Sequence, residues 1–335
     1  MTAWLANELV QRHQVWVISL KMEEPQVFFH LNPQVSHIVL PPAQGKTGIV
    51  KQIREIHSFL KKYQIQRVIN VDIGMGFYGV LAVRGTKARA VTWEHGNYFN
   101  NWGSRLFPYM RRFAARHSHA LVVLTERDRE NYSRNIGRCV PVHVIPNPAQ
   151  RHAFCYDAES RTILSVGHLN ENKGYHRAVE IAKRILPQRP EWRWVIYGEG
   201  EERARLEREI CRAGLTEQIL LPGVTKNMDA VYQKAACLVL TSDMEGLPMV
   251  LLEGKSWGLP LLAFDIMTGP SDIIADDVNG YLIPAHDMER MAEQLAGLMD
   301  DTGLRRRFSE QSQNGMERFD RENILNAWEA LLKGV

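Results

Sequence analysis

The chain lacks any apolar run near the roughly 18 residues that a membrane-spanning helix needs. Its amino terminus carries Glu8 and Arg12, without the basic and then apolar order of a secretory leader. Neither a membrane span nor export is expected, and the protein is assigned to the cytoplasm. Cysteine is scarce: Cys139, Cys155, Cys211 and Cys237 show no close paired spacing, which argues against a zinc knuckle or a redox dithiol. Internal repeats, low-complexity tracts and heptads are also missing. The composition is that of a globular chain: 335 residues, 45% apolar and 24% charged, suggest about two domains with sizeable cores.

The net charge of +3 conceals a division, with 19 Lys and Arg against 9 Asp and Glu in residues 1–150 and 22 against 29 in the rest. A basic first half can serve nucleic acid, anionic lipid or a phosphorylated substrate. Its densest segment, Arg105 to Arg116, mixes Phe107, Tyr109 and Phe113 with Arg111 and Arg112 at roughly helical spacing. Such a segment is either a core-facing helix with a solvated basic face or a helix that docks on a membrane surface.

Two series of alternating strand and helix patterns run along the chain. The first predicts strands at 15–20, 67–71, 88–93, 120–124 and 142–145, with helices at 49–63 and 104–117. The second predicts strands at 162–166, 194–197, 219–221, 237–240 and 261–264, separated by helices at 176–186, 201–213, 228–234 and 248–257. The expected fold is α/β, with two doubly wound parallel-sheet lobes and a cleft between them. Pro146-Asn147-Pro148 and the polar stretch to Ser160 mark the connection, giving lobes at 1–150 and 151–315. Residues 316–335 end in an amphipathic helix expected to pack back on the first lobe.

Ser242 to Glu253 concentrates the chemistry. The segment follows the apolar strand 237–240, turns at Glu245-Gly246-Leu247-Pro248 and opens a helix, with Pro248 suited to its first turn. Amides from Leu247 through Met249 to Val250 then converge on one point, where the helix dipole also favours a phosphate. Glu245 and Glu253 can accept hydrogen bonds from hydroxyls on either side of it. Two glutamates eight apart mean little alone; the Gly-Leu-Pro insert and the strand-to-helix setting carry the signal, against an ordinary helix with an acidic first turn. The loop after strand 162–166 places Gly167, His168 and Lys173 at the mouth of the next helix, where Lys173 can stabilise a departing diphosphate. A loop lysine is ordinarily just solvated, and only the company Lys173 keeps favours the phosphate role. Gly198 and Gly200 allow close approach to a ligand, or form a tight turn.

A rival pattern, Gly74-Met75-Gly76-Phe77-Tyr78-Gly79 with Glu94 about twenty residues on, resembles a dinucleotide fingerprint and would make the protein an NAD-dependent oxidoreductase. Gly85 soon after leaves little room for a full helix there. His95 closes the strand 88–93 and is followed by Gly96, which makes it a candidate to touch a reacting sugar, or a structural histidine.

Together, Gly167 to Gly174, Glu245-Gly246-Leu247-Pro248 with Glu253, Thr268-Gly269-Pro270-Ser271-Asp272 and Asn279 to Pro284 resemble a retaining glycosyltransferase of family 4, with the two-lobed GT-B fold. The resemblance covers nearly the whole chain. It implies that Glu245 contacts donor-sugar hydroxyls, that Glu253 holds the ribose diol, and that Lys173 and the amides after Gly246 hold a diphosphate, usually of uridine. It implies His95 near the transferred sugar, and no metal or other cofactor. His168 departs from the family's usual Arg, which predicts weaker or pH-dependent diphosphate stabilisation. Met1 to Leu9 resembles the family's first helix, so the first lobe is expected to be incomplete, without a first strand and glycine-rich loop. The expected activity is transfer of a hexose or N-acetylhexosamine from a uridine diphosphate donor to a lipid-linked or polysaccharide acceptor in cell-surface glycan synthesis. It would take place peripherally at an anionic cytoplasmic membrane face, without nucleic acid. The alternative is a truncated, inactive relative that binds nucleotide sugar or a partner.

Overall fold

Each segment predicted as a strand forms one in the computed structural model, which describes residues 1–21, 29–101 and 103–335. The chain divides into two compact units, Met1–Asn147 with Glu322–Val335, and Pro148–Arg321.

In the first unit, α1 (Thr2–Leu9) precedes β1 (Trp16–Ser19) and β2 (Ser36–Val39), which pair with each other in parallel. Then α2 (Gly45–Lys62), β3 (Arg67–Val71), α3 (Ile73–Ala82), β4 (Arg89–Trp93), α4 (Phe107–His117), β5 (Ala120–Val123), α5 (Glu126–Ile136) and β6 (Val142–Val144) build a parallel sheet in the order β3-β4-β5-β6. Among the described residues β1 joins only β2, and β3 only β4. A cavity of about 940 Å³ is lined by both of these strands and by Leu5, Leu9, Phe59 and Leu60.

The sequence pattern left little room for a full helix here, and α3 is a ten-residue helix that ends before Gly85. Asp72 caps it by accepting from the Gly74 amide at 2.9 Å. Its glycines are spent on packing rather than on a phosphate: a Cβ at Gly76 would stand 2.6 Å from Ala114 Cβ, and one at Gly79 would collide with the Asn70 amide. Close approach to the sheet and to α4 offsets the roughly 1 kcal/mol that each helical glycine costs. Glu94 is likewise used internally, 1% exposed, accepting from Gly96 N at 2.8 Å and Tyr132 Oη at 2.9 Å. Both halves of the dinucleotide pattern thus serve the core of the unit.

Helix α4 is core-facing at Arg111 and exposed at Tyr109. Arg111 is buried and donates to Asn101 Oδ1 at 2.8 Å and to the Asn100 carbonyl, while Leu106 and Tyr109 are 69% and 74% exposed. The last helix, α13 in residues 321–334, joins this unit. Trp328 packs on Trp93 with ring centroids 4.9 Å apart, Arg67 Nε donates to the Leu332 carbonyl at 2.7 Å, and Glu329 pairs with Arg12 at 2.7 Å.

The second unit runs β7 (Thr162–Val166), α6 (Tyr175–Ile185), β8 (Arg193–Tyr197), α7 (Arg203–Arg212), β9 (Ile219–Gly223), α8 (Met228–Gln233), β10 (Cys237–Leu240), α9 (Met249–Ser256), β11 (Leu261–Asp265), α10 (Pro270–Ile273), β12 (Gly280–Pro284), α11 (Met288–Asp300) and α12 (Thr302–Glu310). The sheet is wholly parallel in the order β12-β11-β10-β7-β8-β9. Strands covered on both faces must be apolar throughout, and β10 is buried at every position. Trp192, Trp194 and Phe308 fill the core, each contributing on the order of 2–3 kcal/mol by burial. The strand order reverses between β7 and β10, the switch point outside whose carboxyl ends such sheets bind their ligands.

Candidate functional site

Two loops meet at that switch point, one after β7 and one after β10. In the first, a short turn at Glu171–Lys173 is capped by the Asn170 side chain, which accepts from Lys173 N at 3.1 Å. Gly174, at φ +63°, brings the chain so near the second loop that a Cβ would stand 2.5 Å from the Thr241 carbonyl. Three bonds lace the loops together: Thr241 Oγ1 donates to the Lys173 carbonyl at 2.9 Å, Asp243 N to the Asn172 carbonyl at 2.8 Å, and Asn172 Nδ2 to the Met244 carbonyl at 2.9 Å. The lacing sets Lys173 Nζ 2.7 Å from Glu245 Oε1, with side chains only 18% and 13% exposed. Sheltered from water, that pair is more strongly coupled than a surface ion pair.

Helix α9 starts at Met249, with Pro248 extended at the N-cap, one residue earlier than the helical position expected of it. The Met249 and Val250 amides lie in the first turn, where an α-helix has no intrahelical acceptor to offer. Residues 245–248 are braced by the loop after β11: Thr268 Oγ1 donates to the Glu245 carbonyl at 2.5 Å, and a Cβ on Gly269, at φ +100°, would stand 2.5 Å from Pro248 Cδ. Leu247 is buried beneath the turn. Lower on α9, Glu253 accepts from Tyr232 Oη at 2.5 Å. Burial raises the Glu253 pKa, and the Tyr232 bond pulls it back.

The other sequence candidates fall as follows. Gly167 lies beside Lys173, since a Cβ there would stand 3.1 Å from Lys173 Cε. His168 is 60% exposed and pairs with Glu201 at 3.1 Å, whereas Lys173 turns to Glu245. Gly198 and Gly200 admit protein backbone: side chains at these positions would strike the Gly167 and Leu169 carbonyls, and Leu169 N donates to the Glu199 carbonyl at 2.8 Å. They thereby hold the loop that carries Lys173. His95 belongs to the first unit, its ring tilted at 46° against Trp93 with centroids 4.1 Å apart. Its Nε2 is buried without a partner, and burial, helped by the amino-terminal charge, pushes its pKa down to about 4. The imidazole is therefore neutral at physiological pH.

Tyr175, the first residue of α6, was not singled out from sequence. It is 3% exposed, and its hydroxyl is buried with no hydrogen-bond partner among the described residues. An aromatic at a helix start gives no sequence cue to where its hydroxyl points. Among the described residues no group of three His, Cys, Asp or Glu side chains could hold a metal ion, and no helix is long and apolar enough to cross a membrane.

Two parallel-sheet units of alternating strands and helices define the GT-B class of fold. The chain belongs to the glycosyltransferases: residues 148–315 match the family "Glycosyl transferases group 1" and residues 2–150 match "Glycosyltransferase Family 4". It is 26% identical over 336 residues to an uncharacterized glycosyltransferase of Haemophilus influenzae, covering 98% of this chain and 94% of that one. It is 32% identical to the amylovoran biosynthesis glycosyltransferase AmsD of Erwinia amylovora, over 63% of this chain and 61% of the relative. It is 35% identical to a Streptomyces coelicolor exopolysaccharide phosphotransferase over 63% of this chain, a match that spans only 23% of that protein. A crystal structure of S. aureus TarM with UDP superposes with a TM-score of 0.73 at 23% identity, over 84% of this chain and 58% of that one. The chain thus spans less than two thirds of several of the proteins it matches.

Proposed function

We propose that the protein is a retaining glycosyltransferase that moves a hexose or N-acetylhexosamine from a uridine diphosphate sugar to a lipid-linked or polysaccharide acceptor in cell-surface glycan synthesis. The observation that carries this reading is the Lys173–Glu245 pair set at the switch point, with the α9 amides following in the same loop. Lys173, with the Met249 and Val250 amides, takes the negative charge of the diphosphate as it leaves. Glu245 accepts from hydroxyls of the donor sugar and Glu253 from the ribose. His95 contacts the transferred sugar as a neutral imidazole, able to donate or accept a hydrogen bond but not to supply charge. His168, exposed and engaged with Glu201, supports the diphosphate only at the margin.

The acceptor oxygen bonds to the anomeric carbon on the face from which the diphosphate departs, and its proton passes to a leaving phosphate oxygen. The protein then contributes orientation and preorganised charge rather than a nucleophile. The AmsD likeness supports a polysaccharide product, and the UDP held by TarM supports the uridine nucleotide. The exposed Leu106 and Tyr109 beside Arg105 and Arg112 suit an anionic membrane carrying the acceptor. The test is transfer and donor hydrolysis with a panel of uridine diphosphate sugars. Lys173→Ala and Glu245→Ala are each expected to lower kcat/KM by about 100-fold or more. Undiminished transfer by Glu245→Ala, or no affinity of the unaltered protein for any uridine nucleotide, would sink the reading.

A further inference from the structure

A buried hydroxyl without a partner is uncommon in folded proteins and calls for a physical reason. Tyr175 supplies one within the site. Its ring belongs to the core of the second unit, while its hydroxyl turns toward Gly167, where a Cβ would stand 2.8 Å from Tyr175 Oη and 3.1 Å from Lys173 Cε. The hydroxyl and the lysine stem therefore flank the same spot, and the lysine's amine lies 2.7 Å from Glu245. Burial first, and then the charge of Glu245, hold the phenol far above its ordinary pKa, so it stays protonated and able to donate. Phenylalanine would fill the ring's volume with no orphaned oxygen. The hydroxyl costs stability unless some other state of the protein uses it.

The arrangement contains such a state. Resting on the function proposed above, Lys173 cannot neutralise a diphosphate and Glu245 at once with the same geometry. When the amine turns to the phosphates, the Glu245 carboxylate gives up the Lys173 ammonium as a donor. We propose that Tyr175 is a positioning residue that donates its hydroxyl to the Glu245 carboxylate when Lys173 turns to the bound diphosphate, so that Glu245 keeps its aim at the donor sugar. The exchange is one of hydrogen bonds alone; no covalent bond changes.

Calorimetric titration with uridine diphosphate, paired with thermal unfolding of the unliganded protein, tests this. Tyr175→Phe is expected to bind uridine diphosphate about tenfold more weakly, the equivalent of one hydrogen bond to a charged group, while its Tm equals or exceeds that of the unaltered protein. In a Glu245→Ala background the same substitution is expected to cost no further affinity. A merely structural tyrosine would give the opposite: unchanged affinity, with or without a lower Tm. Equal loss with and without Glu245 would also overturn the proposal, because it would place the hydroxyl on the ligand itself. Failure of the unaltered protein to bind the nucleotide would refute the functional reading together with this one. Normal binding with a silent Tyr175→Phe would refute this one alone.

Discussion

Glu94 should make the stability of the first unit fall with rising pH, and replacing it with glutamine should remove that dependence. The carboxyl is 1% exposed, and its pKa is raised from 4.5 to about 8, chiefly by burial and then by the charge of Asp72. Asp128 adds to the rise, while the Gly96 amide and the Tyr132 hydroxyl oppose it. Below pH 4.5 the carboxyl is protonated in both folded and unfolded chains, and the raised pKa costs nothing. Between 4.5 and about 8 the native protein keeps a proton that the unfolded chain has released, so each pH unit removes about 1.4 kcal/mol. Stability lost this way is bounded at roughly 4–5 kcal/mol by pH 8, above which the curve is flat again. Glutamine mimics the protonated acid: its amide oxygen can accept from Gly96 N and its amino group can donate to Tyr132 Oη. Urea unfolding at pH 5, 6, 7 and 8, followed by the fluorescence of the packed Trp93 and Trp328, is the assay. Glu94→Gln should match the unaltered protein at pH 5 and exceed it progressively to pH 8. Asp128, whose pKa rises to about 6, titrates in both proteins and cancels in the comparison. Parallel stability curves across the whole range would refute the reasoning.

Gly198→Ala should destabilise the second unit by about 2 kcal/mol or more, since the methyl group would strike the Gly167 carbonyl at a backbone φ of +146°. Gly297→Ala, in α11 with no atom within 4 Å of the new methyl, should instead stabilise by about 0.5–1 kcal/mol; thermal unfolding compares the two, and equal shifts would contradict the account. In the first unit, the cavity lined by β1 and β3 should bind the dye anilinonaphthalene sulfonate in the folded protein. Amides of β1 and β3 should exchange with deuterium faster than those of β4, which is paired on both sides. Uniform protection across these strands would count against the unpaired edges that β1 and β3 show among the described residues.

Parallel strands were legible because a strand covered on both faces must be apolar end to end, as Cys237–Leu240 is, and neighbouring polar turns bound it. Helix α3 was not legible. Three glycines argue against a helix locally, and only their contacts with Asn70, Thr92 and Ala114 show that absent side chains let the helix sit tightly on the sheet. β2 escaped notice as well, because Ser36–Val39 is short and half exposed, leaving no apolar run to read.

At the site, the strand-to-helix turn at Glu245 to Met249 and the lysine loop before α6 were readable from local residues alone, since turn residues, a proline and an apolar strand express local backbone preferences. Whether Lys173 and Glu245, 72 residues apart, would meet was beyond local preference. That depended on strands β7 and β10 pairing across the switch point and on three hydrogen bonds between their loops. The same distinction separates His168 from Lys173, both loop residues of plausible chemistry: one faces Glu201 near solvent, the other a sheltered carboxylate. Tyr175 is the extreme case. Its identity is plain in the chain, but the solitude of its hydroxyl exists only where α6, the Gly167 turn and the Lys173 stem close around it. Periodicity and turn chemistry are properties of neighbouring residues, and they fixed the elements. Which charges lose water, and which donors lack partners, follows from atoms brought together across the fold.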